Sequence, residues 1–195
     1  LKDFDNSHLA RPLVDHEAGP IGGHCILPAV KMLAEHKMHP LLSGILAYSP
    51  QCENTTVWQP SNIYPSAKLG KNVSIGAFSE IGKDVEIGDN SRVGAMCFIP
   101  EGVFIGKDVF VGPRVTFTND KYPPSGQENW LTTTVCGGSS IGAASTILPG
   151  IRIGKGAMIG SGSVVTHDVA DGEVWCGVPA KFLRMRHEQK EAIHG

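Results

Sequence analysis

The stretch VSIGAFSEIGKDVEIGDNSRVGAMCFIPEGVFIG, residues 73–106, repeats a pattern every six positions. Its apolar residues Ile75, Ile81, Ile87, Val93, Ile99 and Ile105 stand in strict register. The register extends to Val57, Ile63 and Leu69 on one side and to Val111 and Phe117 on the other. Glycine follows the apolar residue directly at Gly70, Gly76, Gly82, Gly88, Gly94, Gly106 and Gly112, and the residue two places before it is small or β-branched, as at Val73, Ser79, Val85, Ser91, Cys97 and Val103. The count resumes at Val135 and runs through Ile141, Ile147, Ile153, Ile159 and Val165. A period of six suits neither an α-helix nor a lone strand; it is the mark of a parallel β-helix.

The hexad has a direct physical reading. A short strand points its apolar residue inward, the small residue fits the tighter inward corner, and Gly or a polar residue takes the turn. Three hexads close one triangular coil, and each coil buries its apolar ladder against its neighbours alone. Eighteen residues, or three hexads, separate Phe117 from Val135, so the phase is kept across the gap. On that count Ile63, Ile81, Ile99, Phe117, Val135 and Ile153 stack as one ladder. A repetitive β-sandwich would instead show period two and irregular turn spacing.

This pattern resembles the hexapeptide-repeat acyltransferases over roughly residues 57–184. The resemblance implies coils that wind left-handed, against the usual right-handed crossover. The expected fold is an all-β solenoid, a left-handed parallel β-helix over residues 56–180, with a helical segment before it and a C-terminal helix over 181–195.

The 195 residues suit one such domain with an appendage. Net charge is −2 and neither sign forms a long block, so nothing points to a nucleic acid or a membrane as partner. The five cysteines lack CxxC spacing, which reads as reduced thiols in a cytoplasmic protein. No apolar run approaches the ~20 residues of a membrane span, and no signal peptide is visible.

Residues 1–55 do not obey the hexad. Pro28 to Met38 has helical spacing, Pro40 stops it, and Leu41 to Tyr48 suits a second short helix. The segment Gly19-Pro20-Ile21-Gly22-Gly23-His24-Cys25-Ile26 resembles the GGHC segment of UDP-sugar 6-dehydrogenases. The resemblance implies a nucleophilic Cys25, but no GxGxxG follows a strand anywhere in the chain. A cysteine without a hydride acceptor oxidises nothing, so this segment reads as a silent remnant or as the end of an upstream dehydrogenase module.

Thr118 to Thr134 breaks the hexad chemistry with Pro123, Pro124 and Gly126. A polar loop with aromatic residues, projecting from a rigid scaffold, is where function concentrates. Phe117-Thr118-Asn119-Asp120-Lys121-Tyr122-Pro123-Pro124-Ser125, followed by Trp130, resembles sugar N-acetyltransferases that act on nucleotide-linked amino sugars in surface-polysaccharide (lipopolysaccharide) synthesis. Ser139-Ser140-Ile141-Gly142-Ala143 and Gly177-Val178-Pro179-Ala180-Lys181 resemble the acetyl-CoA-binding coils and ending of the same family. The resemblance implies a homotrimer with acetyl-CoA between subunits. It assigns the cofactor to Gly142, Ala143, Lys155, Gly160, Ser161, Thr166, Pro179, Lys181 and Arg184. Close relatives acting on 3-amino uronic acid nucleotides place an Asn before the loop, where this chain has Gly94-Ala95-Met96.

Acetyl transfer needs a nucleophile with a free lone pair and stabilisation of the oxyanion. O-acetyltransferases of this kind usually present a histidine from coil or loop, and the one coil histidine here, His167, stands at their very end. That favours an amine acceptor, with Asp120 accepting its proton, Asn119 as hydrogen-bonding partner and Glu101 in reserve. Lys121, Tyr122 and Trp130 are the candidates for substrate contact, the two rings by stacking on a base or sugar. Sugar O-acetylation is the alternative. A zinc carbonic anhydrase on the same coils would need three coil histidines, so no metal is expected. A non-catalytic scaffold would have little use for the Asn-Asp-Lys-Tyr loop.

Overall fold

The computed structural model describes residues 54–186. Short strands, most of two residues and each carrying the inward apolar position, wind into three parallel sheets of a triangular prism with about seven coils. The first face carries Thr56–Val57, Ser74–Ile75, Arg92–Val93, Phe110–Val111, Ser140–Ile141, Met158–Ile159 and Glu173–Gly177. The second runs from Asn62–Ile63 to Val164–Val165 and the third from Lys68–Leu69 to Arg152–Ile153. Ser74 lies beside Arg92 and Glu80 beside Phe98, a coil period of 18 residues.

The expected single ladder is corrected at the loop. Phe117 pairs with Ile147 on the second face, whereas Val135 pairs with Ile105 and Ile153 on the third. Thr116 meets Thr146, thirty residues on instead of eighteen, so twelve residues are inserted at one corner and no coil is added. An insertion that is a multiple of six keeps every apolar residue inward, and the phase alone does not say which face follows.

Inward residues of the coils from Ile63 to Val165 form one buried column. The small corner residues are buried too, and their hydroxyls are satisfied. Ser79, Ser91, Ser139 and Ser145 donate Oγ to the carbonyls of Gly94, Gly106, Gly154 and Gly160 at 3.0, 2.8, 2.8 and 3.0 Å, each one coil ahead. Cys97 occupies the same position, and burial pushes its thiol up. Glycine after the inward residue answers to crowding, not to φ: a Cβ on Gly76 would lie 2.4 Å from the backbone N of Ala95 in the next coil. The left-handed residue comes two places later and is often Asn or Asp, as at Asn72, Asp84, Asn90 and Asp108.

The helix expected over 181–195 does not form at its start. Ala180–Met185 is a strand that folds back antiparallel on Glu173–Gly177 around Val178-Pro179. The open edge of the first face offers the chain a full row of backbone partners, which outweighs its amphipathic pattern. Arg186 holds the hairpin by donating Nη1 to the carbonyls of Gly138 and Gly156 at 3.0 and 2.9 Å. The rest of that expected helix, the helical and dehydrogenase-like N-terminal segment and Cys25 lie outside the described residues. Among the described residues no helix is long and apolar enough to cross a membrane.

Candidate active site

The corner between the second and third faces carries the inserted loop. Counting two residues past the inward position of the second face gives Glu101, Asn119, Pro149 and His167 as one column up this corner. Asn119 donates Nδ2 to the Glu101 carbonyl at 3.3 Å, and its own carbonyl accepts from the Leu131 amide at 2.8 Å. That pair closes the neck of the loop. Gln127, in the short 3₁₀ turn Gln127–Asn129, reaches back to both Glu101 carboxylate oxygens at 3.2 and 3.1 Å.

Asp120 organises the loop interior. Its Oδ1 accepts from the Tyr122 amide at 3.0 Å and the Ser125 hydroxyl at 2.7 Å, and its Oδ2 accepts from the Ser125 amide at 2.9 Å. These donors hold its carboxyl below the usual aspartate range, the Ser125 amide first and the Ser125 hydroxyl next. Such a carboxylate is a durable anion and a weak proton acceptor. Lys121 lies 5.8 Å over the Tyr122 ring, and Tyr122 is 75% exposed.

An open groove lies between this loop and the last turns of the same corner. Thr118, Asp120, Lys121, Pro123 and Leu131 line it from the loop side; Leu148–Ile151, Thr166, His167 and Asp168 line it from the coils. The structure thus brings Asp120, Lys121 and Thr166 together and adds His167 and Asp168 to them. Glu101, Tyr122 and Trp130 stand outside the groove lining. The linear reading set His167 aside because it ends the coils. The signal was there, since the corner count places it in one column with Asn119 once the insertion is taken as twelve.

The residues expected to hold acetyl-CoA are dispersed. Gly142, Ala143, Gly160 and Ser161 lie at the corner between the first and second faces, Thr166 in the groove, and Lys155 at the third corner. The Lys155 amide donates to Asp171 at 2.8 Å. Pro179 is in the turn of the terminal hairpin, with Lys181 and Arg184 in its last strand. The guanidinium Nη1 of Arg184 is buried without a hydrogen-bond partner, and Lys181, earlier in the same strand, is exposed. A cationic donor left unsatisfied fits an anionic oxygen from a ligand. Among the described residues no cluster of His, Cys, Asp and Glu is arranged to hold a metal.

Two family models match the coils: the bacterial transferase hexapeptide (six repeats) over residues 66–101 and the hexapeptide repeat of succinyl-transferase over residues 138–167. The two matched stretches are hexapeptide repeats, as the six-residue period implied. A 2,3,4,5-tetrahydropyridine-2,6-dicarboxylate N-acetyltransferase of Staphylococcus aureus is 45% identical over 51 residues, which is 26% of this chain. The match spans about a fifth (21%) of that relative's length. Among solved structures, the fold is shared with AntD, an N-acyltransferase from Bacillus cereus in complex with dTDP and 3-hydroxybutyryl-CoA (TM-score 0.65, 21% identity, 73% of this chain and 85% of that one). It is also shared with PerB from Caulobacter crescentus in complex with CoA and GDP-perosamine (TM-score 0.57, 20% identity, 80% and 75%).

Proposed function

We propose that this chain is an acetyl-CoA-dependent N-acetyltransferase acting on a nucleotide-linked amino sugar, a 3-amino uronic acid first, in cytoplasmic synthesis of a surface polysaccharide. The observation that carries this reading is the corner groove, where a loop of N-acetyltransferase type is pinned over hexapeptide coils and presents a fixed anion, Asp120, to the groove. The ligands named for AntD and PerB, a nucleotide or nucleotide sugar together with a coenzyme A species, support the same substrate pair. In this reading Asp120 attracts the acceptor ammonium, and Asn119 keeps the loop neck closed around it. Lys121 and the Tyr122 and Trp130 rings hold the nucleotide sugar. Acetyl-CoA supplies the activated acetyl group, and Lys181 with the unpartnered Arg184 meets its phosphates.

The groove corner and the Gly142–Ser161 corner are different edges of one prism, so one chain does not present both to a single ligand. We infer that a second copy supplies the other edge, in a homotrimer. Phe78 and Met96, which stand exposed at the Gly142–Ser161 corner, suit burial there. The dehydrogenase-like segment would then belong to an upstream module of the same pathway.

The experiment is to incubate the chain with acetyl-CoA and a panel of nucleotide-linked 3-amino and 4-amino sugars and their hydroxyl counterparts, following thiol release. Release with an amino sugar, giving a product stable to hydroxylamine, is the expected result. No release above hydrolysis with any amino sugar refutes it. His167 in the groove favours one second reading, O-acetylation, whose ester product hydroxylamine would cleave.

A further inference from the structure

Under the reading just given, on which this inference rests, Asp120 must meet the acceptor ammonium as an anion held in one direction. We propose that Ser125, which stands outside the groove lining, is the positioning residue that sets this direction by clamping the Asp120 carboxylate from within the loop.

Ser125 supplies two donors to two different oxygens, its amide to Oδ2 at 2.9 Å and its hydroxyl to Oδ1 at 2.7 Å. An ionised carboxylate only accepts, so the hydroxyl hydrogen has one place to go. Contacts on both oxygens stop the carboxylate turning about its own axis, which the Tyr122 amide on Oδ1 alone would not do. Ser125 is itself held. Its carbonyl accepts from Asn129 Nδ2 at 2.6 Å, and Gln127 of the same 3₁₀ turn reaches the Glu101 carboxylate on the coils. The direction of the anion is thereby referred to the rigid coils and not to the tip of the loop.

The clamp also answers a problem of charge. Lys121 follows Asp120 directly and lines the same groove, yet among the described residues it makes no ion pair. Its ammonium lies over the Tyr122 ring instead. A carboxylate without other donors would turn to that ammonium and be neutralised before an acceptor arrived. With both oxygens engaged by uncharged donors, Asp120 keeps its charge for the ligand. The Trp130 side chain adds a minor contribution of the same sign. The remaining titratable groups of the groove are His167 and Asp168 on the coil side, and Asp168 Oδ1 accepts from the Arg152 amide at 2.7 Å. The intervening turn, Leu148–Ile151, adds no titratable group.

The test uses the full chain and the amino-sugar nucleotide of the panel above that the wild type acetylates with the lowest KM. Ser125→Ala removes the hydroxyl and should raise that KM roughly 10-fold, the scale of one hydrogen bond to a charged group, with kcat little changed. Ser125→Thr keeps a hydroxyl and should lie within threefold of the wild type. Asp120→Asn and the double variant with Ser125→Ala should share one KM within twofold, because Ser125 reaches the acceptor only through Asp120. A readout independent of turnover is the Asp120 carboxyl resonance of the free protein, identified by its loss in Asp120→Asn. Its titration should move upward in pH in Ser125→Ala, since a donor to the ionised form is lost, whereas a merely structural role would leave it in place. Matching thermal unfolding verifies folding, and Ser125→Cys, a weaker donor of similar size, serves if Ser125→Ala unfolds. A KM within twofold of wild type, an unmoved Asp120 titration or additive losses in the double variant would each overturn the assignment and leave the acetyltransferase reading standing. A wild-type chain that acetylates no acceptor would overturn both.

Discussion

Replacing Phe117 by Ala tests the core and the corrected register together. Phe117 is fully buried and sits in its ladder between Ile99 and Ile147, whose side chains are equally sealed. The backbone walls around it are tied coil to coil, with the Phe98 amide on the Val115 carbonyl at 3.0 Å and the Thr118 amide on the Ile147 carbonyl at 3.0 Å. A triangular tube braced in this way has little freedom to collapse onto the vacated volume. The loss should therefore lie within the usual range for a buried phenylalanine, about 3–5 kcal/mol. At ~2–4 °C per kcal/mol for a chain of this size, Tm should fall by roughly 6–20 °C. Thermal unfolding followed by circular dichroism, with urea titration checking that the slope m is unchanged, gives the measurement. Phe98→Ala is the comparison: that ring points outward, 40% exposed, and its removal should cost under about half as much. A Tm loss for Phe117→Ala no larger than that for Phe98→Ala would refute the inward assignment.

Gly142→Ala would set a Cβ 2.4 Å from the Ser161 backbone N, forcing two coils apart at the Gly142 amide to Ile159 carbonyl bond of 2.8 Å. A loss of roughly 1–3 kcal/mol is expected by urea denaturation, and wild-type stability would mean that the coils are not in close approach there. The carboxyls of Asp89, Asp120 and Asp171 are held below the ordinary aspartate value, chiefly by the Lys107 ammonium, the Ser125 amide and the Lys155 amide respectively. A depressed folded pKa stabilises above the unfolded value of about 3.9 and is lost as pH falls through the folded one. Tm should thus hold level from mid-acid to neutral pH and fall below about pH 4; a Tm that rises on acidification would contradict the sign. Asp120→Asn should lower kcat/KM by about 10- to 100-fold, mostly through KM, because an amide cannot accept from all three loop donors. An unchanged acceptor KM would remove Asp120 from the site.

The six-residue period made the coils, the inward column and the loop that interrupts them legible in the sequence. Two features escaped it for physical reasons. A loop of twelve extra residues leaves the phase intact, so Val135 could be given to the wrong ladder without any apolar residue turning outward. The amphipathic run from Phe182 has local helical character, yet Ala180–Met185 lies next to an open sheet edge, and tertiary pairing prevails over propensity. The same phase ambiguity hid His167. Its neighbourhood with Asp120 depends on which corner the insertion occupies, and local spacing does not encode that.

The reversed direction of the last strand has a consequence for the molecule as a potential polymer. A stack of parallel coils is a template that another chain can extend, since every coil presents the same donors and acceptors as the one before. Ala180–Met185 runs against all the strands beneath it on the first face, and Arg186 anchors it across the Gly138 and Gly156 carbonyls. An incoming coil in the standard orientation meets a mismatched row on that face and finds no continuation of the pattern. In the language of chain growth, the hairpin is a terminator for the first face, where the parallel row of partners ends.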